Sequence, residues 1–443
     1  MTTATLKPAP PVAAENAYLR RWQRVPLQIT TPPSPTLGLV VVIPCYNEPD
    51  LLATLDSLWR CQRPACSGEI IIVINASTAD SPAVQWQNRQ TYRQVLAWLT
   101  DHQDPRLAFH VLWFADLDAR SAGVGLARKL GMDEAVARFH AVARPDGIIV
   151  SLDADCLCEP TYLRSIEAHF KANPRASGGT LYFEHPLEDN VDARLNDGMV
   201  QYELFLRYYI HGLRFSGFPY AYYTLGSCMA VRSRVYEKQG GMNRRQGGED
   251  FYFLHKIIPH GDFLEIRDTK VMPSARASER APFGTGKAQG RWLTSERGDY
   301  LVYAPAVFQD LRELFMHLDS LYTQDPKDSA WLSGMPVVLR EYLMTQGFWE
   351  RLSEMQNHVA SVATFRKRFF QWFNAFRVLK FIHWATANNY PKEPVQTAAT
   401  QLLAWRGLLK GNAGADYDSK TLLLHFRRMD REGRLIVLTG NVF

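Results

Sequence analysis

Gly38-Leu39-Val40-Val41-Val42-Ile43-Pro44-Cys45-Tyr46-Asn47-Glu48 is the stretch that decides the fold. Residues 39–43 form an unbroken apolar run rich in β-branched side chains, the pattern of a strand buried on both faces of a parallel sheet, and the run stops at Pro44. Asn47 is then placed to cap a helix with Pro49 near its first turn, and Leu51, Leu52, Leu55, Leu58 and Trp59 recur at helical spacing. Strand, loop and helix make one unit of an α/β fold.

The unit repeats. Residues 70–74 read as a second apolar strand, 84–99 as a helix, 107–114 as a third strand, and 125–143 as a helix interrupted by Gly131. That helix leads into a strand at 148–152. Such alternation predicts a mostly parallel sheet flanked by helices, with ligands held beyond the C-terminal ends of the strands. From about residue 300 the pattern becomes helical. Residues 1–36, rich in Pro, Ala and Thr, read as a tail laid over the first domain. The expected division is a Pro-rich tail at 1–36, an α/β domain at 37–298 and a helical C-terminal region at 299–443.

Composition narrows the function classes. In 443 residues, 46% hydrophobic and 21% charged is ordinary for a globular protein, and a net charge of +5 suits anionic phosphates without demanding a nucleic acid. Six cysteines spread over so long a chain predict reduced thiols and a cytoplasmic location, and their spacings do not suggest structural zinc. The first residues lack the basic start and apolar run of a secretory leader. No stretch reaches the ~18 uninterrupted apolar residues that would suggest a membrane span.

The strand at 148–152 runs into Asp153-Ala154-Asp155, so two carboxylates stand at the ligand-binding edge. Extended alternation would put both side chains on one face. Mg²⁺ or Mn²⁺ seeks oxygen ligands of this kind, with substrate phosphates completing the shell. The same pattern can mark a solvated turn; its place at the end of a buried strand favours the metal and diphosphate reading. About a hundred residues later Gly247-Gly248-Glu249-Asp250 opens an aromatic helix. A carboxylate there is either a cap or a general base, and Asp250 is the candidate base.

Taken together and in this order, Val40-Val41-Val42-Ile43-Pro44-Cys45-Tyr46-Asn47-Glu48, Asp153-Ala154-Asp155 and Gly248-Glu249-Asp250 resemble the family 2 glycosyltransferases of GT-A fold, over roughly residues 37 to 270. The resemblance implies that Pro44, Tyr46, Asn47 and Glu48 line the nucleoside pocket, that Asp153 and Asp155 hold ribose and metal, and that Asp250 is the base of an inverting, in-line displacement. Gly123-Val124-Gly125-Leu126-Ala127-Arg128-Lys129 is similar to the family's Gly-rich helix start beside the nucleotide, which makes Arg128 and Lys129 donor-side candidates. Gly226-Ser227-Cys228-Met229-Ala230 resembles the segment bordering the acceptor, with Glu249 nearby.

Two departures matter. Where the family often has an acidic pair after the second strand, this chain has Asn75-Ala76-Ser77, with Asp80 further on. An amide both donates and accepts, so a GDP-linked donor stands beside a UDP-linked one. Gln289-Gly290-Arg291-Trp292 is one residue short of the processive Gln-x-x-Arg-Trp motif, which favours a single-addition hexosyltransferase.

Arg276, Arg280, Lys287, Arg291 and Trp292, interleaved with Pro282, Gly284 and Gly286, form a candidate lid over the diphosphate. His255 is the candidate third metal ligand, though packing is the commoner fate of such a histidine. Arg366, Lys367, Arg368, Arg377 and Lys380 among Phe369, Phe370, Trp372, Phe373 and Phe376 describe a helix packed on the catalytic domain, or one in peripheral contact with the inner membrane face. Two other readings are a sugar-phosphate nucleotidyltransferase, which would start with a Gly-rich, Arg-containing loop that Pro44-Cys45-Tyr46-Asn47 is not, and a non-catalytic carbohydrate-binding protein on the same fold.

Overall fold

The computed structural model describes residues 16–187, 192–278, 280, 284–295, 298–323, 325, 333–410 and 417–439. Residues 1–15 of the Pro-rich stretch and Pro282 lie outside the described residues. Two compact units emerge: Met1–Leu195 with Thr224–Leu293, and Asn196–Tyr223 with Thr294–Phe443. Residues 196–223 therefore group with the C-terminal helices, although they fall inside the stretch expected to be α/β.

The first unit is built on one sheet of eight strands: β1 (Leu37–Cys45), β2 (Ser67–Ser77), β3 (Leu107–Leu117), β4 (Ile148–Ser151), β5 (Cys156–Cys158), β6 (Gly178–Phe183), β7 (Met229–Arg232) and β8 (Leu264–Pro273). Their order is β3-β2-β1-β4-β7-β6-β8-β5. The β3-β2-β1-β4 block is parallel throughout, and β6 pairs parallel with β8. β7 opposes both β4 and β6, and β5 opposes β8. This is the mostly parallel, helix-flanked sheet expected for the GT-A class, and the helical C-terminal region is present as well. β2 is buried at every position and β1 at all but Gly38, as a strand covered on both faces must be.

The sheet corrects two local expectations. Asn47 does not cap the following helix, which begins at Leu51 after Asp50. Instead Asn47 turns the chain at φ +49°, a left-handed conformation that asparagine tolerates better than most residues, and its N–H donates to the Asn88 side chain at 2.7 Å. Nor does Gly131 interrupt its helix, which runs unbroken over Val124–Ala141. A Cβ at Gly131 would stand 2.4 Å from Val42 Cγ1 and 2.9 Å from Val73 Cγ2, so the glycine lets the helix lie directly on β1 and β2.

That helix is buried on every side, and its charged residues are buried with partners. Arg138 forms a two-point ion pair with Glu69 of β2, and Lys129 pairs with Asp133 at 2.9 Å. Asp133 also accepts from the hydroxyls of Tyr18 and Tyr236, each at 2.8 Å. Tyr18 belongs to the helix Ala17–Trp22, capped by Asn16, whose side chain accepts from Leu19 N–H. The latter part of the presumed tail is thus integral to this unit.

In the second unit the helices Ala193–Ser216 (from Asn196), Ala306–Met316, Val337–Thr345, Phe348–Asn357, Val362–Trp372, Ala375–Asn388, Val395–Trp405 and Ser419–Glu432 enclose a core that includes Phe308, Leu311, Phe369, Phe373, Val378 and Phe381. Inside it lies an ionic cluster. Glu203 accepts from Arg207 and Arg427, and Asp430 accepts from Arg207 (2.6 Å), His211 (2.9 Å), Arg214 (3.0 Å) and the Tyr223 hydroxyl (2.6 Å). His211 and the two arginines hold the Asp430 carboxyl far below the usual carboxylate range despite its burial. In Val362–Trp372 the aromatic side faces inward, with Phe365, Phe369 and Phe370 buried, while Arg366, Lys367 and Arg368 are exposed. No helix among the described residues is long and apolar enough to cross a membrane.

Candidate active site

Beyond the C-terminal end of β1, the three residues of the turn Tyr46-Asn47-Glu48 are fixed by side chains from other elements. The Tyr46 hydroxyl donates to Asp80 at 2.8 Å, and Asp80 accepts Ser77 N–H with its other oxygen. Burial, then Asp80, pushes the Tyr46 hydroxyl up to about 12. Asn88, on the helix Pro82–Asp101, accepts from Asn47 N–H and donates to the Asn75 carbonyl at 3.2 Å; Thr91 on the same helix donates to the Glu48 carbonyl at 2.8 Å. Pro44 stays within β1, and Asn75 is buried in β2.

Glu48 has no exposed surface. One of its oxygens takes guanidinium donors from both Arg276 and Arg280, and the other accepts Asp50 N–H at 2.9 Å. The same two arginines reach Asp155, at 3.6 and 3.2 Å, and Arg276 also pairs with Asp50 at 2.6 Å. Together with Tyr46, Asn47, Pro49, Ala277 and Ser278 they line a cavity of about 460 Å³. The loop expected to be a lid therefore brings two of its cations onto the acidic edge of the sheet. Lys287 is half-buried, Arg291 is exposed and Trp292 is buried on the helix Thr285–Thr294. Gln289 anchors that helix by donating to the carbonyls of Ala275 (3.0 Å) and Leu195 (2.8 Å).

Past β4 the chain turns at Ala154 and Asp155 instead of continuing extended, so the two carboxylates diverge. Asp153 goes to Arg128 and Asp155 goes to Arg280. They still feel each other: burial, and next the charge of Asp153, lift the Asp155 carboxyl to about 6.

Arg128, 3% exposed, is the hub. It donates to Ser151 at 3.1 Å and pairs with both Asp153 and buried Glu249. A Cβ on Gly226 would stand 2.4 Å from the Arg128 guanidinium, which explains a glycine at that point. Gly226 N–H in turn donates to Asp250 at 2.8 Å, while the second Asp250 oxygen accepts its neighbour Phe251 N–H at 2.7 Å. Burial raises the Asp250 carboxyl against the opposing pull of Arg128. Ser227 is buried beside them in a short turn, Gly226–Cys228.

Other expected donor-side features are used in packing. Lys129, one residue and about 100° around the helix from Arg128, is buried against Asp133 and Tyr18. A Cβ at Gly125 would lie 2.4 Å from the Arg245 carbonyl, so this face of the Gly-rich helix start is covered by the 243–246 loop. His255 lies edge-on to Phe251 with ring centroids 4.4 Å apart, and burial lowers it to about 4. Among the described residues no group of three or more His, Cys, Asp and Glu is placed to hold a metal ion.

Sequence reasoning did not anticipate the partners that set this geometry: Ser151, Asn88, Thr91 and the pairing of Glu48 with Arg276 and Arg280. A polar residue at an otherwise buried strand end was the only available signal for Ser151.

No protein-family model and no curated protein sequence matches the chain. Among solved structures, residues 1–349 of S. aureus TarS align at 12% identity with a TM-score of 0.37, covering 77% of this chain and 91% of that one. The same protein in complex with UDP-GlcNAc aligns at the same identity and TM-score, covering 90% and 93%. Similarity at this level carries no argument, and the architecture rests on the strand order itself.

Proposed function

We propose that the chain is a glycosyltransferase that moves a sugar from a nucleotide diphosphate to an acceptor hydroxyl, with inversion and without processivity. The observation that carries this reading is the convergence of Asp153, Glu249 and Asp250, drawn from two distant motifs, around Arg128 at the C-terminal edge of the parallel strands, with Asp155 close enough to feel the charge of Asp153. Parallel sheets place their ligands there.

In this reading the nucleoside of a UDP- or GDP-linked donor occupies the cavity beside Tyr46 and Asn47. Arg276 and Arg280 lie on carboxylates, and an incoming diphosphate offers them a competing anion. Two carboxylates that repel each other, one with its carboxyl lifted to about 6, fit a hard divalent cation that takes its remaining ligands from phosphate oxygens. Asp153 and Asp155 would hold that Mg²⁺ or Mn²⁺, which supplies Lewis-acid stabilisation of the departing diphosphate. Asp250, made more basic by burial and oriented by the Gly226 and Phe251 N–H groups, accepts the proton of the attacking hydroxyl. Glu249 fixes Arg128 and so the position of the base. We take the location to be cytoplasmic, a reading supported by six cysteines spread over a long chain, and any contact with a membrane face would rest on the exposed Arg366, Lys367 and Arg368.

The test is a melting panel of UDP- and GDP-sugars with and without Mn²⁺, followed by donor turnover with Asp250→Asn. At least one donor should raise the melting temperature more with Mn²⁺ than without. Asp250→Asn should keep that shift while losing 10²-fold or more in turnover. Absence of a shift with every donor, in either condition, refutes the reading.

A further inference from the structure

The structure carries a feature that lies outside the chemistry above. Cys61, just past the end of the helix Leu51–Trp59, and Cys158, the last residue of β5, have their sulfurs 3.6 Å apart. Both are buried, at 3% and 6% exposure. Side chains that meet at this separation already point at each other, and the backbones are tied on either side of them. Thr54 donates to the Ala154 carbonyl at 2.9 Å, and Gln62 N–H donates to the Pro160 carbonyl at 2.8 Å, one and two residues beyond the cysteines. The main chains are thus held together where a disulfide needs them to be close.

We propose that Cys61 and Cys158 are a peroxide-responsive thiol pair that closes to a disulfide and joins the two segments bearing Glu48 and Asp155. The oxidant is a hydroperoxide, with hydrogen peroxide, close to water in size, the one suited to thiols so little exposed. The Cys61 thiolate attacks one peroxide oxygen, the O–O bond breaks, and Cys61 becomes a sulfenic acid as the released hydroxide takes a proton to leave as water. The Cys158 sulfur then attacks the Cys61 sulfur, the S–O bond breaks, and hydroxide leaves with the Cys158 proton as a second water. Two thiols lose two electrons and one peroxide is reduced to two waters.

The surroundings favour this pair over the other thiols. Cys61 accepts from Cys158, and this contact holds the Cys61 thiol below its ordinary value. Burial pushes Cys45 and Cys156 well up, and burial with Glu167 beside it pushes Cys66 up to about 12. The thiolate is the reactive form, so attack is directed to Cys61, and the resolving thiol is already in contact with it. The bond would close a segment of 97 residues in sequence separation. Cross-links of that span restrict the unfolded chain strongly, so the oxidised form should melt several degrees higher.

The experiment is peptide mapping of the full chain under native conditions. Protein is treated with a small excess of hydrogen peroxide, quenched with an alkylating reagent, digested and analysed by mass. The expected product is one cross-linked peptide pair joining Cys61 to Cys158, two hydrogens lighter than the sum of its parts, with the other four cysteines alkylated and the link reversed by dithiothreitol. Melting should rise in the oxidised wild type and not in Cys158→Ser. The inference is overturned if Cys66 or any other thiol is lost before Cys61, if Cys61 passes to sulfinic acid while Cys158 stays alkylatable, or if both stay alkylatable at doses that oxidise methionine. Because the readout is on the wild-type chain and needs no donor, it succeeds or fails independently of the proposed transfer reaction.

Discussion

Replacing Arg128 by methionine removes the guanidinium on which the two acidic motifs depend, and the cost can be worked out partner by partner. Glu249 is 2% exposed, and Arg128 is the only cation paired with it among the described residues. Removing one member of such a buried pair strands a charge and costs ~3–5 kcal/mol. Asp153 has a side chain 37% exposed and can be rehydrated, so its lost pairing adds at most about 1 kcal/mol. For a folding unit of a couple of hundred residues each kcal/mol corresponds to about 2–4 °C. Arg128→Met should therefore lower the first unit's melting temperature by on the order of 6–24 °C. The partner test is Arg128→Met with Glu249→Gln, which removes the stranded Glu249 charge and should recover at least about 2 kcal/mol relative to the single change. Thermal and urea unfolding of wild type, both singles and the double decide it. A single variant that melts within about 2 °C of wild type, or a double no more stable than Arg128→Met alone, would refute the reasoning.

Three further outcomes follow from the same structure. Gly131→Ala forces a methyl group into Val42 and Val73 and should cost ~1–3 kcal/mol in urea unfolding; a neutral result would mean the helix can lift from the sheet freely. Burial raises the Glu134 carboxyl to about 7 while it accepts the Gln28 and Ile29 N–H groups. The folded protein then holds a proton that the unfolded chain releases near its ordinary value of 4.5, so stability falls as pH rises between these values. The stability of Glu134→Gln relative to wild type should accordingly improve by up to about 3 kcal/mol from pH 4.5 to pH 8, and a pH-independent difference would contradict the assignment. Asp430→Asn, which leaves Arg207 and Arg214 facing each other without their shared carboxylate, should destabilise the second unit by ~3–5 kcal/mol by calorimetry; a change below 1 kcal/mol would show that solvent reaches the cluster.

What could be read from the chain was whatever burial writes into composition. The runs in β1, β2 and β4 are apolar because both faces are covered, and the acidic residues at their ends stand out against that background. The site was legible as motifs but not as pairings. Arg276 and Glu48 lie 228 residues apart, and no local pattern announces their contact. Arg128 and Lys129 are chemically alike in sequence, and only the helix phase settled by packing sends one to Asp153 and the other to Asp133. Gly131 looked like a break because a missing side chain reads as lost helix propensity, whereas here it serves a close contact that is long-range. The reversed strand β7 has only four residues, too few to carry a direction, and the grouping of residues 196–223 with the C-terminal helices depends on contacts with residues a hundred or more positions away.

The Ala17–Trp22 helix carries a practical consequence for anyone preparing this protein. A truncation drawn at the end of the proline-rich stretch would discard Tyr18, whose hydroxyl meets Lys129 and Asp133 within about one and a half turns of Arg128. It would also discard the Gln28 and Ile29 amides seated on Glu134. A shortened protein of that kind would lose its grip on the back of the very helix whose front face organises the acidic residues, and a blank result in a test of the proposed transfer would be mistaken for a wrong substrate.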